Sequence, residues 1–151
     1  MPVNKSVPDS HKHILENGVF AFMSTIRASD QLISTNPVGY DWDGETLRIS
    51  TLKSRVKYRN LQQDPRVTVC VLDARSPTRY VEIRGRAVLE DDPGGALNKK
   101  MFREKMGYEF DLDEPGAERV IVTIVPEQVS TPTLYGGRLD HVGDPAGGEK
   151  P

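Results

Sequence analysis

Short apolar runs that alternate with a period of two, each closed by a turn residue, constrain this chain more than any other feature. In residues 46–52, Leu47, Ile49 and Thr51 alternate with Arg48 and Ser50. In residues 66–73, Val67, Val69 and Val71 share one face. Such a period belongs to strands buried on one side. Residues 19–27, 32–42, 80–90 and 119–126 are further β-branched and aromatic runs that read as strands. Asp43-Gly44 is a hairpin signal between two of them. Pro37 cannot donate to a ladder, so it marks an edge or a bulge. Gly85, inside the run 80–90, marks a bulge or sharp curvature.

Three short helices are expected between the strands. The first covers residues 11–17, capped by Asp9 or Ser10 and ended by Gly18. The second starts at Ser54 as cap and runs to about Gln63, where Asp64-Pro65 stops it. The third follows Asp92-Pro93-Gly94-Gly95 and ends near Gly107. Residues 74–79 read as a loop, and residues 109–116 as an acidic loop. Many hairpin-linked strands with few helices predict a mainly β fold, an antiparallel barrel with helices packed outside. A chain of 151 residues fits one domain, expected over residues 1–135, and the Gly-, Pro- and charge-rich residues 136–151 read as a flexible tail.

A net charge of −2 argues against a nucleic-acid-binding surface. The sole cysteine, Cys70, excludes an intrachain disulfide and reads as a structural thiol. No leader-like or membrane-spanning run stands out, so a cytoplasmic protein is expected, and the sequon at Asn4 carries little weight.

One segment carries chemistry. Between Glu45 and Asp64 there is no acidic residue, whereas Arg48, Lys53, Arg55, Lys57 and Arg59 fall there. Lys53, Arg55 and Lys57 crowd the start of the second helix, where the macrodipole disfavours each cation by about a few tenths of a kcal/mol. A bound anion would remove that conflict, with first-turn amides, Arg55 and Lys57 cradling a phosphate. A solvated basic helix face is the competing reading, because residues two apart do not share a face of a regular helix. Spacing leaves both open.

Other candidates point to less. His11 and His13 are two apart on a helix and face different ways, which does not suit a metal. His141 sits in the tail. Asp111, Asp113 and Glu114 lack the spacing of a calcium loop. No Gly-x-Gly-x-x-Gly follows a strand, so no Rossmann site is supported. Tyr40, Trp42 and Tyr135 are candidates for lining a pocket or for the core.

Residues 49–67, ISTLKSRVKYRNLQQDPRV, resemble a signature of the pyridoxamine-phosphate-oxidase-like family: a strand, a turn with Arg-x-Lys-x-x-Asn-Leu, then Asp-Pro-Arg. FMST at residues 22–25, NPVGY at 36–40 and EIRGRA at 82–87 are similar to barrel strands of the same family, and together they span roughly residues 10–130. The resemblance implies an antiparallel split β-barrel, homodimeric, with a phosphorylated cofactor in the groove between subunits. By that resemblance Arg55 and Lys57 hold the cofactor phosphate, Ser50 and Thr51 lie beside it, and Lys53 extends the basic track. Asn36, Pro37 and Val38 pass under the ring system, with Met23 and Ser24 nearby. Thr78, Arg79 and Tyr80 reach the cofactor from the other subunit.

The family's cofactors are FMN and the deazaflavin coenzyme F-420. Its true oxidases are longer and end in an Arg-rich segment, whereas this chain continues past Ser130 as STPTLYGGR. That departure implies the deazaflavin branch, an F-420-dependent reductase of a small conjugated substrate. An FMN-dependent oxidoreductase and a cofactor-binding protein without turnover are the alternatives. The cofactor carries the hydride chemistry, so no catalytic residue is assigned.

Overall fold

The computed structural model describes residues 4–140. A 3-10 turn at Asp9–His11 leads into α1 (Lys12–Asn17), followed by β1 (Phe20–Ile26), β2 (Ile33–Gly39), β3 (Asp41–Trp42) and β4 (Leu47–Leu52). Next come α2 (Val56–Gln63), β5 (Arg66–Asp73), β6 (Ser76–Asp91), α3 (Ala96–Met106), β7 (Arg119–Ser130) and a 3-10 turn at Leu134–Gly137. The strands form one sheet in the order β2-β1-β5-β6-β7-β4-β3. Every pairing is antiparallel. The sheet curls until β2 approaches β4, giving a split half-barrel with helices outside.

The period-two pattern explains the core. Ala21 and Met23 of β1, Leu47 and Ile49 of β4, Val67, Val69 and Val71 of β5, and Val122 and Ile124 of β7 all turn inward and are buried. Ile14 and Leu15 of α1, Leu61 of α2 and Tyr40 plug the barrel. The Tyr40 hydroxyl donates to the Leu15 carbonyl at 2.6 Å, which satisfies a phenol with no exposed surface.

Gly85 permits the curl. The β6–β7 register shifts between Arg84, opposite Gln128, and Gly85, opposite Pro126. A Cβ at Gly85 would collide with the Val125 carbonyl, so the two backbones approach as only glycine allows. Pro37 lies on β2, an edge strand, as its missing N–H requires.

The structure corrects several local expectations. The run 32–42 is not one strand: it breaks at buried Tyr40, sending β2 and β3 to opposite edges of the sheet. Residues 74–79 are not a loop. Ala74 and Arg75 form a tight turn closed by the Asp73–Ser76 pair, and the Arg75 amide donates to Asp73 Oδ1 at 2.9 Å. Ser54 does not cap α2, since the N-cap is Arg55 in extended backbone (φ −85°, ψ 150°). Neither Asp9 nor Ser10 caps α1, and Gly18 ends it in extended conformation. No helix among the described residues is long and apolar enough to cross a membrane.

Candidate functional site

A cleft of about 670 Å³ lies where β2 and β4 meet. Small-molecule sites occupy roughly 300–1,000 Å³. One wall is sheet: Pro37, Val38 and Gly39 of β2 with Ser50, Thr51 and Leu52 of β4. One end is the start of α2, with Ser54, Arg55 and Lys57. The facing wall is α3, which contributes Asn98, Met101, Phe102 and Lys105. The stretch 110–117 forms the rim.

Side-chain bonds fix where α2 begins. Asn60 Nδ2 donates to Thr25 Oγ1 at 3.1 Å, and Asn60 Oδ1 accepts from the Ala28 amide at 2.9 Å. This buried asparagine ties α2 to β1. The Arg55 amide donates to the Leu52 carbonyl, and that of Tyr58 to the Arg55 carbonyl. The amides of Val56 and Lys57, inside the first turn, have no carbonyl a turn earlier in the helix to bond. The spacing objection to Arg55 and Lys57 also disappears. Arg55 is not helical but an extended cap residue, so the two side chains are not bound by helical spacing and both line the cleft.

The basic island sorts by partner. Arg48 Nη2 donates to Asp41 Oδ2 at 2.8 Å, and Lys53 Nζ lies 3.0 Å from both Asp91 and Glu118. Those carboxylates hold the Lys53 ammonium above its ordinary pKa. Among the described residues, Arg55, Lys57 and Arg59 have no ion-pair partner, and of these Arg55 and Lys57 line the cleft whereas Arg59 does not. Burial, and then the nearby Arg55 guanidinium, push the Lys57 ammonium below its ordinary pKa. An anion bound beside Arg55 and Lys57 would favour the charged form of the lysine. At the rim, Asp113 accepts from Arg119 Nε and Nη2 at 2.8 and 2.7 Å, which holds its carboxyl low.

Six sequence-predicted residues come together in the cleft: Pro37, Val38, Ser50, Thr51, Arg55 and Lys57. The others lie elsewhere in the single chain. Met23 is buried in the core, and its ladder partner Asn36 is not part of the lining. Ser24 Oγ meets Thr35 Oγ1 at 2.8 Å on the outer face of the sheet. Lys53 is engaged by its two carboxylates. Thr78 and Ser76 donate to the Leu139 carbonyl, so the first residues of the expected tail dock on β6. Arg79 lines a separate cavity with His13, Asp73 and Asp140, and Tyr80 pairs with Leu72 on the sheet.

The sequence predicts α3 as a helix but does not assign it to the cleft. Asn98, Met101, Phe102 and Lys105 follow the three-and-four spacing of one helix face, a signal that was present but looked like ordinary amphipathicity. Two buried polar atoms on the lining have no partner among the described residues, Thr51 Oγ1 and Asn98 Nδ2. Of the aromatic candidates, Tyr40 is core, Trp42 packs against it and Tyr135 is exposed. His13 Nε2 lies 3.6 Å from Asp73, remote from the cleft, while His141 falls outside the described residues. Burial pushes the Cys70 thiol up, as suits a structural cysteine.

The family model of pyridoxamine 5'-phosphate oxidase matches residues 7–131. Among solved structures, an F420 reductase is 34% identical, with a TM-score of 0.70 over 82% of this chain and 98% of that one. A putative pyridoxamine 5'-phosphate oxidase from Listeria innocua is 23% identical, with a TM-score of 0.64 over 82% of this chain and 95% of that one. A conserved hypothetical protein from Mycobacterium tuberculosis is 21% identical, with a TM-score of 0.66 over 95% and 92%. The last two likenesses are of fold. No curated protein matches the chain.

Proposed function

The chain belongs to the pyridoxamine 5'-phosphate oxidase family, and from that premise we propose that it is a cytoplasmic, F-420-dependent reductase of a small conjugated substrate. The observation that carries the reading is the Arg55 and Lys57 pair, without carboxylate partners among the described residues, at the open end of α2 inside the cleft. Their charges and the first-turn amides suit the phosphodiester of the cofactor. Thr51 Oγ1, buried and unpartnered on the adjoining strand, adds a hydroxyl to the same end.

When bound, the reduced deazaflavin supplies the hydride. The chain's own residues bind, orient and shield. Arg55 and Lys57 anchor the anionic end. Pro37 and Val38 of β2 offer a flat apolar support for a ring system. Met101 and Phe102, with Phe110 and Leu112 of the rim, keep water from the apolar part of the cleft. The 34% identity to an F420 reductase favours F-420 over FMN.

The reading includes a homodimer. Phe20, Phe22, Ile33 and Leu72 stand exposed on the outer face of β1, β2 and β5, an apolar surface that a second copy would cover. In a dimer of the kind the family resemblance implies, Thr78, Arg79 and Tyr80 of the second copy would reach the cofactor. Parallel fluorescence titrations with F-420 and FMN at low salt test the proposal. Tighter F-420 binding that Lys57→Ala weakens by about 1.5–3 kcal/mol is expected. Tighter FMN binding would move the assignment to the flavin enzyme, and binding of neither would end it. Binding with no substrate-dependent loss of reduced cofactor would leave a binding protein. Light scattering showing a monomer with cofactor present would remove the dimer.

A further inference from the structure

Lys105 stands apart from the phosphate end of the cleft. It lies on α3, a full helix away from α2, and its Nζ donates to the Gly18 carbonyl at 2.9 Å. The same ammonium sits 3.7 Å above the centroid of the Tyr40 ring. These contacts fix the group, but neither neutralises it. Two carboxylates act on it: Asp41 already has one oxygen on Arg48 at 2.8 Å and the other on Lys100 at 2.9 Å, and Glu104 lies 3.9 Å from Lys100. Lys105 therefore has no ion-pair partner among the described residues, and it faces a cleft lined there by Val19, Phe20, Met101 and Met106. A held cation at the apolar end of a pocket is a recognition element for an anionic oxygen on an otherwise hydrophobic ligand.

A second observation lies two turns earlier on the same helix face. Asn98 is 5% exposed, lines the cleft, and its Nδ2 has no partner among the described residues. Residues seven apart are separated by about 10 Å along a helix. Met101 and Phe102 lie between them. The face thus reads polar, apolar, cationic along its length.

We infer that α3 is the substrate-reading wall of the cleft and that Lys105 binds a carboxylate on a flat, conjugated substrate. This rests on the proposed function only in treating the ligand as the compound to be reduced. The conjugated part lies on Met101 and Phe102, the carboxylate meets Lys105, and Asn98 offers an amide donor to a more distant oxygen.

The test is a fluorescence titration of the full chain, without cofactor, with 2-naphthoate and its neutral counterpart 2-naphthamide. Wild type is expected to bind the carboxylate at least about tenfold more tightly than the amide, the effect of one charge-assisted hydrogen bond. Lys105→Met and Lys105→Gln should each erase that preference while leaving amide binding in place. Lys105→Arg should retain it, and Arg55→Ala should not disturb it. Two Lys105 variants guard against a single misfolded one, and a melting curve on each checks the fold. A preference that survives both neutral variants overturns the inference. So does one that Arg55→Ala removes, since the carboxylate would then sit at the phosphate end. Loss of F-420 or FMN binding in Lys105→Met would also overturn it, by placing Lys105 with the cofactor. If neither cofactor binds wild type yet the preference still depends on Lys105, this inference stands and the proposed function falls.

Discussion

Arg48 and Lys53 on one side, and Arg55 and Lys57 on the other, come from the same acid-free stretch of sequence, yet the fold gives them opposite fates. The first two are spoken for. Arg48 closes on Asp41, and Lys53 reaches Asp91 and Glu118, residues far along the chain that the β4–β7 and β6–β7 pairings bring alongside. The second two line a cleft and have no ion-pair partner among the described residues. A charge with an internal partner holds the protein together, whereas a charge without one is available to a ligand. Charge density along the sequence does not separate the two cases, because Asp91 and Glu118 are distant in the chain and Asp41 meets Arg48 only through the β3–β4 pairing.

The sharpest way to break this contrast is to remove the free pair. Replacing both Arg55 and Lys57 by alanine should cost at least about 3 kcal/mol of F-420 binding, and either single change about 1.5–3 kcal/mol. The melting temperature should hold, because neither side chain makes an ion pair among the described residues. Titration by fluorescence beside a thermal melt reads both, and a double variant that binds like wild type would erase the distinction.

The next effect is on the other side of the comparison. Asp41→Asn should lower unfolding free energy by about 2 kcal/mol in a denaturant titration, since it leaves Arg48 and Lys100 with a weaker partner, and cofactor affinity should not change. Burial alone would raise the Asp41 carboxyl, but hydrogen bonds from Lys100 and Arg48 outweigh it and hold the pKa below its ordinary value. A folded pKa below the unfolded one gives stability that is present above the unfolded value, about 3.9. That stability is lost as pH falls through the folded value. The asparagine variant should therefore show a shallower acid-unfolding profile than wild type.

A smaller effect concerns pH and binding. The Lys57 ammonium of the free protein loses its proton below the ordinary lysine range. A bound anion favours the charged form, so affinity should fall as pH rises through that lowered value. The dependence should vanish in Lys57→Arg, whose guanidinium stays charged. Smallest of all, Lys53→Met should change F-420 affinity by less than about twofold, because exposed ion pairs contribute little and this one points at acids rather than at the cleft. A large loss there would return Lys53 to the binding track.

Local signals carried far in this molecule where the physics is local. Alternation at Leu47, Ile49 and Thr51 and at Val67, Val69 and Val71 is a property of a pleated chain with one wet face, and those residues are buried as the pattern requires. Asp43-Gly44 turns because Asp43 Oδ1 accepts from the Glu45 and Thr46 amides and Gly44 takes a positive φ. Gly107 ends α3 in the left-handed region for the same kind of reason. The signals failed where a distant contact decides. Nothing near Tyr40 announces that the chain leaves one sheet edge for the other there. At that break the phenol is buried and donates to the Leu15 carbonyl inside the barrel.

By itself, then, the sequence determined a mainly β, antiparallel chain and marked the acid-free stretch around Arg55 and Lys57 as a candidate anion site, because periodicity, turn chemistry and charge clustering act over a few neighbouring residues. Only the tertiary structure decided which cations remain free and that α3, with Asn98 and Lys105, forms the facing wall of the cleft. Those outcomes depend on which distant carboxylates and helices the curled sheet brings together, and burial and pairing are sums over the whole fold rather than properties of a segment.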